Sequence, residues 1–213
     1  MVGKLNRLPV ETQKALQEFA CLGNSAAIST LSIVHGTSEE EVPSGLWEAE
    51  RLEFIVRSEG GYRFLHDRVQ EAAYSQIPAE LRPTAHLRIG RLLAAHTPPE
   101  NREEAIFEIV NQLNRGATLI TALEEREQLA ELNLIAGKRA KASTAYASAL
   151  TYLVAGAALL ANDSWERRHE LSFALELHRA ECEFLTGRLA AAAERLAILS
   201  SRAANTVELV LLC

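Results

Sequence analysis

Apolar side chains recur every three to four residues over most of the chain, which is the spacing of an amphipathic α-helix. In the N-terminal part this pattern predicts three helices, over residues 9–23, 25–34 and 38–50. Each begins with a recognisable signal: Pro9 suits a first turn, Ser25 is a capping residue, and Ser38 forms a capping box with Glu41. The chain is therefore expected to open with three short helices.

The pattern changes after Glu50. Residues 53–58 and 62–65 are β-prone, and Gly60 and Gly61 between them suit a turn, so a β-hairpin is predicted. Asp67 is then expected to cap a helix over residues 68–77, which stops before a proline. Three helices, a hairpin and a following helix form the order of a winged-helix domain, predicted here for residues 1–78.

Only helical patterns follow. Helices are predicted over residues 81–96, 102–115, 124–143, 145–161, 165–186 and 189–203. Short breaks separate them, as in antiparallel helix pairs stacked into an α-solenoid. The predicted fold class is mainly α, with a connecting helical region at residues 79–123 and helical repeats at residues 124–213.

The last two predicted helix pairs resemble each other at an offset of 43 residues. Gly137, Ala149, Leu153 and Gly156 correspond to Ala180, Ala192, Leu196 and Leu199. Small residues at such positions let helices pack closely, so this segment resembles a divergent tetratricopeptide-type repeat, longer than the usual unit of about 34 residues. The apolar end, residues 207–213, lacks the polar cap of a solenoid, and the chain is expected to be a truncated piece.

The negative net charge of the chain argues against two classes of partner. The net charge of −6 disfavours binding to nucleic acid and to anionic lipid. The third predicted helix would be the recognition helix of a DNA-binding winged helix, but residues 38–50 carry five glutamates and no lysine or arginine. A helix of that charge is repelled by phosphates, so no nucleic-acid partner is expected.

Residues 142–162 carry no charge and are long enough to span a membrane. Alanine dominates this stretch and serine and threonine interrupt it, so a buried helix is expected instead and no membrane partner. No signal peptide is visible, and Cys21, Cys182 and Cys213 form no CxxC pair, which favours reduced thiols in the cytoplasm. The six histidines form no metal-binding spacing, so no metal is predicted.

The sequence contains no phosphate-binding loop, nucleophile elbow, kinase loop or zinc-protease motif. The chain is therefore not expected to be an enzyme or to bind a cofactor by itself. The aromatic residues are expected to pack: Trp47 and Trp165 as core or inter-helix anchors, and the tyrosines with partners for their hydroxyls. His86, His96, His169 and His178 are expected to be solvated.

His66 and Asp67 lie between the predicted hairpin and the next helix. With Leu65 they resemble the Met-His-Asp motif that ends the winged-helix domain of signal-transduction (STAND-type) ATPases with numerous domains, with leucine in place of methionine. That resemblance implies that His66 contacts the β-phosphate of ADP bound by the ATPase module and locks the closed state. Such a role is chemically reasonable, because an imidazole N–H can donate to a phosphate oxygen.

Nearly the whole chain resembles the segment that follows the ATPase module in large bacterial hybrid proteins with serine/threonine kinase, predicted ATPase and sensor histidine kinase parts. Four stretches carry this resemblance: residues 8–13, 20–24, 64–74 and 86–93. It implies a non-catalytic regulatory segment in signal transduction, whose partners are an upstream nucleotide-binding domain and other proteins bound by the repeats. ADP or ATP is implied only for the ATPase module, whose core is missing here.

Three alternatives stay open for this segment. Residues 65–70 also resemble the phosphoacceptor box of two-component sensor kinases, in which His66 would be phosphorylated. That box needs helix on both sides of the histidine, whereas β-prone residues precede His66. The chain could also be a stand-alone scaffold that binds peptides, or Asp67 could simply cap a helix after a half-buried His66 at a strand end.

Overall fold

The computed structural model describes residues 2–211. The protein is mainly α-helical with one small sheet and a helical array, which confirms the predicted fold class. The chain divides after Leu119 into two compact units. Most of the predicted connecting region, residues 79–123, therefore falls within the first unit, because its helices pack on the N-terminal elements.

The first unit contains seven α-helices and three strands within the described residues. In chain order they are α1 (Val2–Leu5), α2 (Val10–Leu22), β1 (Ser25–Ala27), α3 (Ile28–His35), α4 (Val42–Arg51), β2 (Ile55–Ser58), β3 (Gly61–Phe64), α5 (Asp67–Ser75), α6 (Arg82–His96) and α7 (Arg102–Arg115). Short 3-10 turns occupy Ala79–Leu81, Pro99–Asn101 and Ala117–Leu119.

The three strands form an antiparallel sheet in the order β1-β3-β2. The predicted hairpin is confirmed, with Ile55 opposite Phe64 and Ser58 opposite Gly61. In chain order α2 precedes β1, α3 and α4 precede the hairpin, and α5 follows it. The prediction that Ser25 caps a helix is wrong: Ser25 pairs with Arg63 in β1, and the helix begins at Ile28.

The helix predicted from Ser38 begins only at Val42. The capping box itself is present, because the Ser38 backbone N–H and hydroxyl both donate to Glu41 Oε2, at 2.9 and 3.1 Å. It closes a turn that precedes the helix. Pro43 explains the delay, since proline is accommodated only in the first turn of a helix.

The core of the first unit lies between the sheet and α2, α4 and α5. Phe19 stacks on Phe64 with ring centroids 4.4 Å apart, and Leu46, Ile55 and Tyr62 are fully buried beside them. Trp47 was predicted to be a core or inter-helix anchor, but its side chain is 55% exposed. It lies one position beyond Leu46, which takes the inward-facing place on α4.

The second unit comprises α8 (Leu123–Ala142), α9 (Tyr146–Leu159), α10 (Ser164–Arg167), α11 (His169–Leu185), α12 (Leu189–Arg202) and α13 (Thr206–Leu211). The pairs α8/α9 and α11/α12 are antiparallel helix hairpins. No helix among the described residues combines the length and apolarity needed to cross a membrane. Cys213 lies outside the described residues.

The 43-residue repeat extends to the backbone of the turns. After α8, Ser143, Thr144 and Ala145 donate to the carbonyls of Arg139, Lys141 and Ala140. After α11, Thr186, Gly187 and Arg188 make the corresponding bonds to Cys182, Phe184 and Glu183, each 43 residues later. Thr144 and Gly187 share a left-handed backbone, at φ 60° and 78°. The two helix pairs are therefore joined by turns of the same backbone geometry.

The helices α11 and α12 are joined by a buried charge cluster and an apolar patch. Glu183 is 4% exposed and receives two hydrogen bonds from Arg195 of α12, at 2.9 and 3.0 Å. Phe173, Leu177 and Leu199 form the apolar patch, and Trp165 packs against it. The prediction of Trp165 as an inter-helix anchor is confirmed.

Candidate functional site

The segment from β3 into α5 fixes the position of His66. The backbone N–H of Phe64 donates to the Asn24 carbonyl at 2.8 Å, and that of Leu65 donates to the Phe54 carbonyl at 3.1 Å. On the other side, the His66 carbonyl accepts from the Val69 N–H at 2.8 Å. His66 is therefore held on both sides although its own side chain is exposed.

His66 lies in an open groove whose lining is mostly polar. Besides His66 and Asp67, the groove is lined by Asn24, Arg63, Phe64, Leu65 and Arg68. Arg63 is brought there from the centre of the sheet, where it pairs with Ser25 on one side and Val56 on the other. Arg68 comes from the first turn of α5.

The groove is suited to an anion. Its two guanidinium groups and an imidazole can all donate hydrogen bonds, and the N-terminal end of α5 adds a favourable dipole. Within residues 2–211, the side chains of His66, Arg63 and Arg68 make no hydrogen bond or ion pair with another group. Their donors are thus available to a ligand, while the Asp67 carboxylate limits the total positive charge.

The predicted role of Asp67 as a helix cap is wrong. The helix begins at Asp67, and His66 occupies the preceding capping position in extended conformation, at φ −142° and ψ 142°. No side chain caps this end of the helix. Asp67 instead places a carboxylate in the first turn, where it interacts favourably with the helix dipole. His66 is exposed after the end of β3, whereas one of the alternatives from the sequence expected it to be half buried.

At the other end of α5 a buried chain of hydrogen bonds crosses the first unit. The Tyr74 hydroxyl lies 2.9 Å from His86 Nε2, and His86 Nδ1 lies 2.6 Å from Gln112 Oε1. Gln112 Nε2 donates to the Cys21 carbonyl at 2.8 Å. Since the Gln112 oxygen must accept, His86 Nδ1 carries the proton and Nε2 accepts from Tyr74. The chain links α5, α6, α7 and the end of α2.

Burial lowers the pKa of His86 below its ordinary value, and the charges of Arg115 and Arg82 act in the same direction, while the Gln112 bond opposes them. His86 is only 2% exposed. The prediction of a solvated His86 is therefore wrong. In the sequence Tyr74 and His86 lie in consecutive predicted helices, but nothing there indicates that the two side chains meet.

Two further histidines predicted to be solvated also have partners. His178 Nδ1 lies 2.6 Å from Glu181 and 2.9 Å from Lys141 Nζ. His169 Nε2 lies 3.0 Å from Glu208 Oε2. His96 is exposed, as predicted, and bonds a carbonyl of its own helix. The contacts of His178 with Lys141 and of His169 with Glu208 join helices within the second unit.

Two of the three thiols, those of Cys21 and Cys182, lie within the described residues and are buried. Burial raises the pKa of the Cys21 thiol to about 11, which keeps it protonated and unreactive at neutral pH. Cys182 is also buried, and burial raises its pKa. No cluster of three potential metal-binding side chains occurs in residues 2–211.

Comparison with known proteins gives one distant relative. The chain is 26% identical, over 249 residues, to hybrid signal transduction histidine kinase G of Dictyostelium discoideum. The alignment covers 88% of this chain but only 7% of that kinase. No protein-family model matches the chain, and no solved structure matches it.

Proposed function

We propose that this chain is a non-catalytic regulatory segment of a multidomain signalling protein. In this proposal the groove around His66 receives a phosphate of a nucleotide held by a neighbouring ATPase module. The helical repeats of the second unit then present a surface to other proteins. The similarity to a signalling kinase over most of this chain supports the signalling role, and the groove supports the phosphate contact.

One observation carries the proposal. His66 is exposed, anchored by backbone hydrogen bonds on both sides, and flanked in one groove by Arg63 and Arg68. A phosphate bound there would meet three donors, one from β3, one from the link to α5 and one from the start of α5. These donors can bind an anion, and the proposal assigns the groove the role of sensing it.

The phosphoacceptor alternative is less well supported. A phosphorylated histidine of a sensor kinase lies within a long dimerising helix, whereas His66 is extended and precedes the nine-residue helix α5. A phosphate contact needs only an accessible imidazole. A radiolabelled phosphoryl group transferred to His66 by a partner kinase would favour the alternative over our proposal.

Binding of pyrophosphate to the ¹⁵N-labelled chain tests the groove. We expect chemical-shift changes in the amides of residues 63–68 and Asn24, with a dissociation constant on the order of 1 mM at low salt, since few contacts are made. His66→Ala should weaken binding about fivefold, the loss of one charge-assisted hydrogen bond.

His96→Ala is the matched control, because His96 is also an exposed histidine of the first unit and lies outside the groove. It should leave pyrophosphate binding unchanged. If His66→Ala and His96→Ala behave alike, or if pyrophosphate perturbs no residue of the groove, the phosphate contact is wrong. Peptide binding that ignores nucleotide would instead favour a stand-alone scaffold.

A further inference from the structure

Trp47 is the largest side chain exposed on α4. Its exposed fraction is 55%, while its neighbours Leu46 and Ala49 are fully buried in the core. Ser44, Trp47, Glu48 and Arg51 follow one another at helical spacing and form one stripe, called here the α4 face. Exposed tryptophans are common at the centres of binding surfaces, where they contribute large contact areas.

The α4 face already holds a cation of its own. The guanidinium carbon of Arg51 lies 5.5 Å from the centre of the Trp47 ring. The same guanidinium donates to Glu48 Oε2 at 2.7 Å through Nη2. An aromatic ring and a carboxylate thus hold one guanidinium between them, which is the arrangement by which proteins bind arginine and lysine side chains.

The negative charge around the α4 face favours a positively charged partner. Residues 38–59 contain seven glutamates against two arginines, so most of the chain's net charge of −6 lies in this stretch. Glu39, Glu40 and Glu53 are exposed and have no ion-pair partner within residues 2–211. This negative field attracts cations and repels nucleic acid and a second copy of the same acidic chain.

We propose that the α4 face is a docking surface for a basic segment of a partner protein. An arginine or lysine of that segment takes the place of Arg51 over Trp47 and beside Glu48, and the surrounding glutamates attract the remaining positive charges. Arg51 therefore competes with the partner's cation for Trp47 and Glu48, and this competition lowers the affinity for the partner. The proposal does not depend on any role of His66, which lies outside this face.

An arginine–glycine peptide of ten residues, with five arginines, is the probe. The chain has two tryptophans, so its ¹⁵N spectrum contains two indole signals, assigned by substitution. We expect the peptide to shift the Trp47 indole signal and leave that of Trp165 in place. Binding should weaken at least tenfold between about 20 and 200 mM salt, and a peptide with glutamate for arginine should not bind.

Three variants separate a specific site from general attraction. Trp47→Ala should weaken peptide binding about fivefold, because the cation–π contact is lost. Arg51→Ala should strengthen it about threefold, since the competitor is removed. Arg57→Ala is the matched control: it removes the same charge from the exposed surface of β2, outside the α4 face, and should strengthen binding less.

Equal gains in Arg51→Ala and Arg57→Ala, together with unchanged binding in Trp47→Ala, would overturn the proposal in favour of unspecific charge attraction. A Trp47 signal that moves with the chain's own concentration, with no response to the arginine peptide, would overturn it in favour of self-association. Circular dichroism of each variant checks folding, which these exposed substitutions should not alter.

Discussion

At the scale of single residues, buried polar groups make hydrogen bonds that the sequence pattern does not indicate. His86 resembles any other helical histidine in the sequence, yet it bridges Tyr74 and Gln112 in the interior of the first unit. Its two partners come from α5 and α7, the helices before and after its own, and lie 12 and 26 residues away in the chain. Such a contact depends on tertiary packing, so helical periodicity predicts the helices and not the hydrogen-bonded chain across them.

Removal of two tyrosine hydroxyls of the first unit should change the free energy of unfolding differently. Tyr74→Phe removes the donor to His86 Nε2 and should lower the free energy of unfolding by about 1 kcal/mol. Tyr62→Phe removes a hydroxyl that is buried without a hydrogen-bond partner in the described chain, and should leave stability unchanged or raise it by up to about 1 kcal/mol. Urea unfolding followed by circular dichroism measures both, and equal losses would contradict the assigned contacts.

The pH dependence of stability follows from the buried histidines. Burial lowers the pKa of His86 and of His35, so the folded state prefers both imidazoles neutral. Their contribution is complete above the unfolded pKa of about 6.5 and is lost as the pH falls below it. The first unit should therefore lose stability between about pH 7 and pH 5.

His86→Gln tests that assignment. Glutamine does not titrate, so the variant should show a shallower loss of unfolding free energy over the same pH range than the unsubstituted chain. His96→Gln, which replaces an exposed histidine, should keep the original pH dependence. An identical slope in the His86 variant would show that this imidazole is not held neutral.

At the scale of elements, the long periodic helices and the hairpin could be predicted, and the short elements could not. The strand β1 has only three residues, Ser-Ala-Ala, and none of them favours a strand by itself. It forms because the edge of β3 is available to it. The predicted start of α4 was wrong for a local reason. The capping box at Ser38 and Glu41 forms, but Pro43 determines where the helix begins.

Gly61 should be essential to the sheet. A Cβ at this position would lie 2.2 Å from the Ala26 carbonyl oxygen, which is backbone of β1 and cannot move aside cheaply. We expect Gly61→Ala to lower the free energy of unfolding by about 2 kcal/mol. Gly45→Ala on α4 is the control, because a Cβ there meets no atom within 4 Å.

The control should raise stability by up to about 1 kcal/mol, since alanine is the better helix former. Thermal unfolding of both variants gives the comparison. Similar effects of the two substitutions would mean that β1 does not approach β3 as closely as the structure indicates.

At the scale of the whole molecule, the chain consists of two units that serve different purposes in the proposed function. The first offers a groove of positive and imidazole donors around His66, and an acidic face on α4. The second repeats one helix pair with matching turns 43 residues apart. The order of these parts was visible in the sequence; the place of Asp67 inside α5, and the surroundings of His66, required the three-dimensional structure.

The central claim is that His66 reports the nucleotide state of a neighbouring ATPase module. The most direct measurement is the rate of ADP release from the complete polypeptide in which this segment follows such a module. His66→Ala should release ADP about tenfold faster, the effect of roughly 1.4 kcal/mol of lost phosphate contact, while His96→Ala should release it at the unsubstituted rate. An unchanged rate in His66→Ala would contradict the account.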